Sequence, residues 1–130
     1  MKKVKWMSES EDHDYPGAAS FLSLLYSPSQ VEKMIPRFIK APVVEIKAKD
    51  VVRASRLPLL AKANFHVAKD MKKIANGTAL SPLLLVRGDA INGIPLTIAD
   101  GYHRACAVYW NSEDDFIQAR IIDWTRRNTD

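Results

Sequence analysis

Between Pro16 and Tyr26 the apolar residues Ala18, Phe21, Leu22, Leu24 and Leu25 recur at the three- and four-residue spacing of a helix face. Ser27-Pro28-Ser29-Gln30 breaks the pattern and puts a proline where a new helix can start. That second helix is expected from Pro28 to Ile39, packing through Val31, Met34, Ile35, Phe38 and Ile39. Pro36 lacks a main-chain donor and should bend or divide it, and Ala41-Pro42 should end it. Val43 to Ala48 is β-branched and partly alternating, so it reads as a strand, and Asp50 reads as the cap of a short helical segment reaching Ser55. Leu57-Pro58-Leu59-Leu60 is a linker or a short helix.

The second half is more regular. A helix from about Asn64 to Ala75, with Phe65, Val67, Ala68, Met71 and Ile74 inward, stops at Asn76-Gly77. Strands follow at Pro82 to Arg87 and Ile94 to Ala99, joined by a reversal whose Asn92-Gly93 pair signals a hairpin. A helix from Tyr102 to Trp110 and a strand from Phe116 to Ile122 complete the pattern. Helices and strands mix without strict βαβ alternation, which predicts an α+β fold with a small mixed β-sheet packed with helices. The organisation expected is a flexible N-terminal arm at residues 1–15, a helical extension at 16–42, a main domain at 43–125 and a frayed tail at 126–130.

Composition narrows the class. The chain has 130 residues, 47% hydrophobic and 26% charged, the balance of an ordinary globular domain large enough to bury a core. Lys+Arg 19 against Asp+Glu 15 gives a net charge of +4, which favours phosphate-bearing partners without choosing among nucleotide, nucleic acid and lipid headgroup. Cys106 is the single cysteine, so no internal disulfide framework exists, in keeping with a reducing compartment. No apolar run approaches the roughly 20 residues needed to span a bilayer. The basic start, Met1 to Trp6, runs into Ser8-Glu9-Ser10-Glu11-Asp12-His13-Asp14, not the apolar stretch of a signal peptide, so a cytoplasmic protein is expected. His13 between Asp12 and Asp14 reads as part of an acidic arm in preference to a metal site, which would need ligands from elsewhere.

The chemistry concentrates at Asp100-Gly101-Tyr102-His103-Arg104, where a buried strand breaks and runs directly into a helix. A helix starts with unpaired amides and partial positive charge, a natural receptor for phosphate. Gly101 admits a close main-chain approach, Arg104 offers a fork of donors, and His103 titrates near neutral pH. Two readings of Asp100 stand: cap of the helix, or a group that handles protons beside His103. Cys106 reads as a small buried apolar residue, and Trp110 and Trp124 as packing. On the helix before, His66, Lys69 and Lys73 share one face, and Arg53 and Arg56 project from the segment after the first strand.

The order of elements around Gly101-Tyr102-His103-Arg104-Ala105-Cys106-Ala107, from about Val43 to Ile122, resembles the N-terminal domain of ParB-type partition proteins and the related sulfiredoxins and free-serine kinases. The resemblance implies a nucleotide-phosphate site at the start of the helix, with His66, Lys69, Lys73 and Arg56 as secondary ligand contacts. It departs in one place that matters: Tyr102 stands where sulfiredoxins have their cysteine and ParB proteins a glutamate. Sulfiredoxin chemistry is therefore not expected, and no helix-turn-helix segment follows in these residues to support partition-type DNA binding.

The leading expectation is a domain that binds a nucleotide or other phosphorylated ligand through Gly101, Tyr102, His103 and Arg104. Asp100 and His103 are the candidate catalytic groups for phosphoryl transfer or nucleotide hydrolysis, with Mg²⁺ accompanying the nucleotide and no protein-held metal. The alternative is a noncatalytic module contacting nucleic acid or a protein, and the first two helices could serve a homodimer.

Overall fold

The computed structural model describes residues 2–124. In chain order the elements are α1 (Asp14–Leu22), α2 (Pro28–Lys40), β1 (Val43–Lys47), α3 (Ala48–Ser55), α4 (Phe65–Ala75), β2 (Leu83–Val86), β3 (Thr97–Asp100), α5 (Tyr102–Asn111) and β4 (Phe116–Ile122). The fold is α+β, with a four-stranded mixed sheet ordered β1-β4-β2-β3. β1 runs antiparallel to β4, β4 parallel to β2, and β2 antiparallel to β3.

All four residues of β2 are buried, and a strand that is apolar on both faces needs cover on both. Leu83 and Leu85 join Ile98, Ile117 and Ala119 beneath α3, α4 and α5. Leu84 and Val86 join Ala99 and Ile122 beneath Ala18 and Leu22 of α1 and Val31, Met34 and Phe38 of α2. The first two helices are thus a full layer of the core and not an appendage to it. Within them the inward set is narrower than the apolar pattern predicts, because α1 ends at Leu22 and leaves Leu24 81% exposed, with Phe21 and Leu25 also outside.

Local chemistry accounts for most boundaries. Ser27 caps α2 in a reciprocal box with Gln30, and Pro28 opens the first turn. Pro36 does not divide α2; the carbonyl it leaves without a donor belongs to Glu32, and both residues are exposed to water. Asp50 does not cap α3, since β1 feeds straight into that helix through Lys47, and its carboxylate sits in the first turn instead. Asn64 caps α4 through the amides of His66 and Val67. Phe65 and Ala68 face outward, leaving Val67, Met71 and Ile74 as the packing stripe. The reversal between β2 and β3 closes through an Asp89–Ile94 bridge, with Gly93 at φ 72.

The segment expected as a flexible arm is tied to the body. Trp6 bridges Leu80 in parallel, with Leu80 N–H donating to Lys5 O at 2.9 Å and Met7 N–H to Leu80 O at 2.8 Å. Val4 and Asp14 are buried. Arg120 of β4, 6% exposed, extends under this segment: it donates to the carbonyls of Ala41 and Ile39, to Ser10 Oγ and, at 3.1 Å, to Glu9. The signal was faint because Val4 and Trp6 are too few to set a period. Residues 126–130, expected as a frayed tail, lie outside the described residues.

Candidate functional site

β3 reaches its end through a bulge. Leu84 pairs with Asp100 but Leu85 with Ile98, so Ala99 is an extra residue and Asp100 is re-aimed at the edge where the helical layers meet. Gly101 follows at φ 108, a backbone conformation that L side chains rarely adopt. A Cβ there would also sit 2.5 Å from Leu83 Cγ and 3.0 Å from Arg104 Nη2, so the turn packs too tightly for any other residue.

α5 starts at this turn with no side-chain cap. Asp100 therefore does not act as the helix cap; it accepts a hydrogen bond from Arg104 Nη2 at 3.0 Å, one helical turn on. This also corrects the picture of Arg104 as an open fork, since one of its nitrogens is committed to an ion pair. Its Nε is buried with no hydrogen-bond partner among the described residues, so the guanidinium keeps unused donor capacity.

A cavity of ≈ 200 Å³ opens over the turn. Asp100, Gly101, Tyr102, His103 and Arg104 form one side, and α4 contributes His66, Lys69, Asp70 and Lys73 from the other. Eight of the nine residues put forward from the sequence thus meet in one place, four from the turn's ligand set with Asp100, three from the preceding helix. Arg56 is not brought there: it ends α3 in a left-handed conformation at φ 58, exposed. Its position after the first strand carries no information about which way that turn points.

Sequence reasoning missed Asp70. It lies one turn from both His66 and Lys73, a spacing that put it on the same face all along. Lys73 Nζ stands 3.9 Å from Asp70 Oδ1. Burial pushes the Asp70 carboxyl above its ordinary value, opposed by Lys73, Arg104, His103 and Lys69. Burial likewise raises Asp100; Arg104 pulls it down and the carboxyl of Asp14 pushes it further up. His103 is held below the usual imidazole value, first by burial and then by His66, whose ring centroid lies 4.7 Å away. Tyr102 is anchored by its hydroxyl, which donates to Pro58 O, and so fixes the first residue of α5. Cys106 is 1% exposed, and burial raises its thiol, consistent with a packing role.

Asp14 was the other residue missed, because its acidic surroundings read as an arm. With Glu11 and His13 it brings three donor atoms within 4.8 Å of one another. They satisfy each other, His13 Nε2 lying 2.9 Å from Glu11 and 3.5 Å from Asp14, and no metal is assigned to them. No protein-family model matches the chain, and no curated protein or solved structure matches it. Among the described residues no helix is long and apolar enough to cross a membrane.

Proposed function

We propose that the protein binds a phosphorylated small molecule, a nucleotide first among them, by its phosphate end in the cavity between α4 and the turn from β3 to α5. The observation that carries this reading is the meeting of two separate sequence features. The basic face of His66, Lys69 and Lys73 stands across from a helix start whose amides no side chain caps. The same arrangement accords with the ParB/sulfiredoxin-like resemblance of the Gly101 to Ala107 segment.

Size refines the ligand. Pockets that enclose a whole drug-sized molecule run from about 300 Å³ upward. At ≈ 200 Å³ this one suits one or two phosphoryl groups, with the nucleoside left over the surface near Phe65 and His66. Lys69, Lys73, the first amides of α5 and His103 are the principal contacts, and Arg104 acts through its bond to Asp100. For turnover the reaction class is phosphoryl transfer or hydrolysis, with His103 and Asp100 as the groups that handle protons. Mg²⁺ fits poorly as a protein-held ion here, because Asp70 and Asp100 each already face a cation, and the reading routes no step through it. A cytoplasmic setting, where nucleotides are abundant and the Cys106 thiol stays reduced, suits the proposal.

The test is a thermal-shift comparison of inorganic phosphate, pyrophosphate and nucleotides, with and without Mg²⁺, on the parent and on a Lys69→Ala/Lys73→Ala variant. A ligand at 100 times its Kd stabilises by about 2.7 kcal/mol, a shift of several degrees. Stabilisation of the parent that the variant loses is the expected result, and a flat response to every phosphate compound would refute the site. Salt separates the nucleic-acid alternative, because many backbone contacts give a steep loss of affinity with added salt and a single phosphate group gives a shallow one.

A further inference from the structure

The connection from Leu57 to Asn64 takes the chain from α3 into α4 without a helix or strand of its own. Its main chain closes a turn before α4, where Asn64 N–H donates to Ala61 O at 3.0 Å. Upstream of that turn its carbonyls are held by side chains of α5. Tyr102 Oη donates to Pro58 O, and Trp110 Nε1 donates to Leu60 O at 2.8 Å. Lys62 Nζ adds a third hold, 5.2 Å from the centre of the Trp110 ring. Tyr102 and Trp110 stand two turns apart along α5 and so present one face to the connection.

We infer that Tyr102 is a positioning residue of the cavity: through Pro58 its hydroxyl holds this connection on α5, and the connection sets where the first turn of α4 presents His66 and Lys69 to the start of α5. The inference rests on the phosphate reading above. The link between connection and helix is direct, because Asn64 ends the one and caps the other through the amides of His66 and Val67, at 3.0 and 3.2 Å. Where that first turn sits shows in the rings: His66 meets His103 at 4.7 Å between centroids, and His103 lies 5.7 Å from Tyr102.

Val67, Met71 and Ile74 hold the inner side of α4 to the core, so the connection has only the outer side of the first turn left to set. That is the side that reaches the ligand. Binding groups work only when held to within about 0.5 Å of their productive place, and a lysine at the rim has nothing else to fix its helix end. Tyr102 lines the cavity with its ring, but its hydroxyl is committed to Pro58, and burial raises the phenol above its ordinary value, so it stays a donor. The bond to Pro58 lies at the surface. Removing it leaves a carbonyl that water can satisfy, which costs the fold little.

Tyr102→Phe takes away the hydroxyl and keeps the ring. Calorimetric titration of the whole chain with pyrophosphate should show an affinity about fivefold below the parent's, with Tm lowered by no more than roughly 3 °C. Because the hydroxyl acts through the first turn of α4, the loss should shrink to less than about twofold when the same change is made in a Lys69→Ala background. A merely structural role, or a direct contact with the ligand, would cost the same in both backgrounds. Equal losses, or no loss in the parent background, would overturn the inference.

A second readout needs no ligand. The proton NOE between the His66 and His103 rings should weaken in Tyr102→Phe, and an unchanged NOE would overturn the inference whatever binds. The two proposals fail separately. A parent that does not bind pyrophosphate, but whose ring-to-ring NOE depends on Tyr102, refutes the phosphate site and upholds the placing of α4; pyrophosphate binding with an NOE indifferent to Tyr102 does the reverse.

Discussion

The starts of α2 and α5 solve the same problem in opposite ways. At α2, Ser27 Oγ accepts the Gln30 amide at 3.3 Å, the Gln30 side chain accepts the Ser27 amide at 3.0 Å, and Pro28 removes a donor that would otherwise need a partner. At α5 the corresponding residue is a glycine with no side chain to offer, and the nearest carboxylate, Asp100, is turned away onto Arg104. One helix start is sealed by its own sequence and the other is left open onto a cationic cavity. Capping is worth about 1 kcal/mol, so leaving it out is a measurable concession, made where the chain also keeps a glycine in a left-handed conformation.

The largest expected effect comes from closing the open start. Gly101→Ala combines an unfavourable backbone conformation with a clash against Leu83 and should cost about 3 kcal/mol, seen as a fall in Tm of roughly 10 °C. Near-parental stability would mean that the turn is not as tightly packed as described. Next comes Lys69→Ala/Lys73→Ala: both side chains reach solvent, so stability should change by less than about 0.5 kcal/mol while pyrophosphate affinity falls roughly tenfold, about 1.4 kcal/mol, by calorimetric titration. Equal affinity in the variant would leave α5 without its proposed partner helix.

Ser27→Ala is the control on the sealed start. It should lower stability by about 1 kcal/mol in urea unfolding and leave the pyrophosphate-dependent shift untouched. The smallest effect is on pH dependence. The Asp70 carboxyl is raised in the folded protein, so its contribution to stability is complete below the unfolded value of about 3.9 and is lost as pH climbs through the folded one. Asp70→Asn lacks that loss and should gain on the parent as pH rises from about 4, read from urea midpoints in a series of buffers. A difference between the two that does not vary with pH would remove Asp70 from the cavity's electrostatics.

What could be read from the sequence follows the range of the forces involved. Leu83 to Val86 announced a strand because its residues are apolar without interruption, and Asn64, Asn76-Gly77 and Asp100-Gly101 marked helix ends by local chemistry. The shared face of His66, Lys69 and Lys73 was likewise fixed by helical geometry alone. What stayed hidden depends on partners distant in the chain: the order of strands in the sheet, the seating of Trp6 beside Leu80, and the close approach of α1 at Gly17 to Asp100. Asp50 misled for a different reason. It has the chemistry of a cap, but β1 continues into α3 without the break a cap needs.

Arg120 has a bearing on how the chain can be cut. Its guanidinium is anchored by Glu9 and Ser10 from one end of the molecule and by the carbonyls of Ile39 and Ala41 from the other layer. Trimming the first ten residues as though they were dispensable would strand a positive charge deep beneath α2, so the shortened polypeptide should misbehave for a reason no hydropathy plot reveals. An affinity tag placed ahead of Lys2, by contrast, leaves every one of those bonds intact.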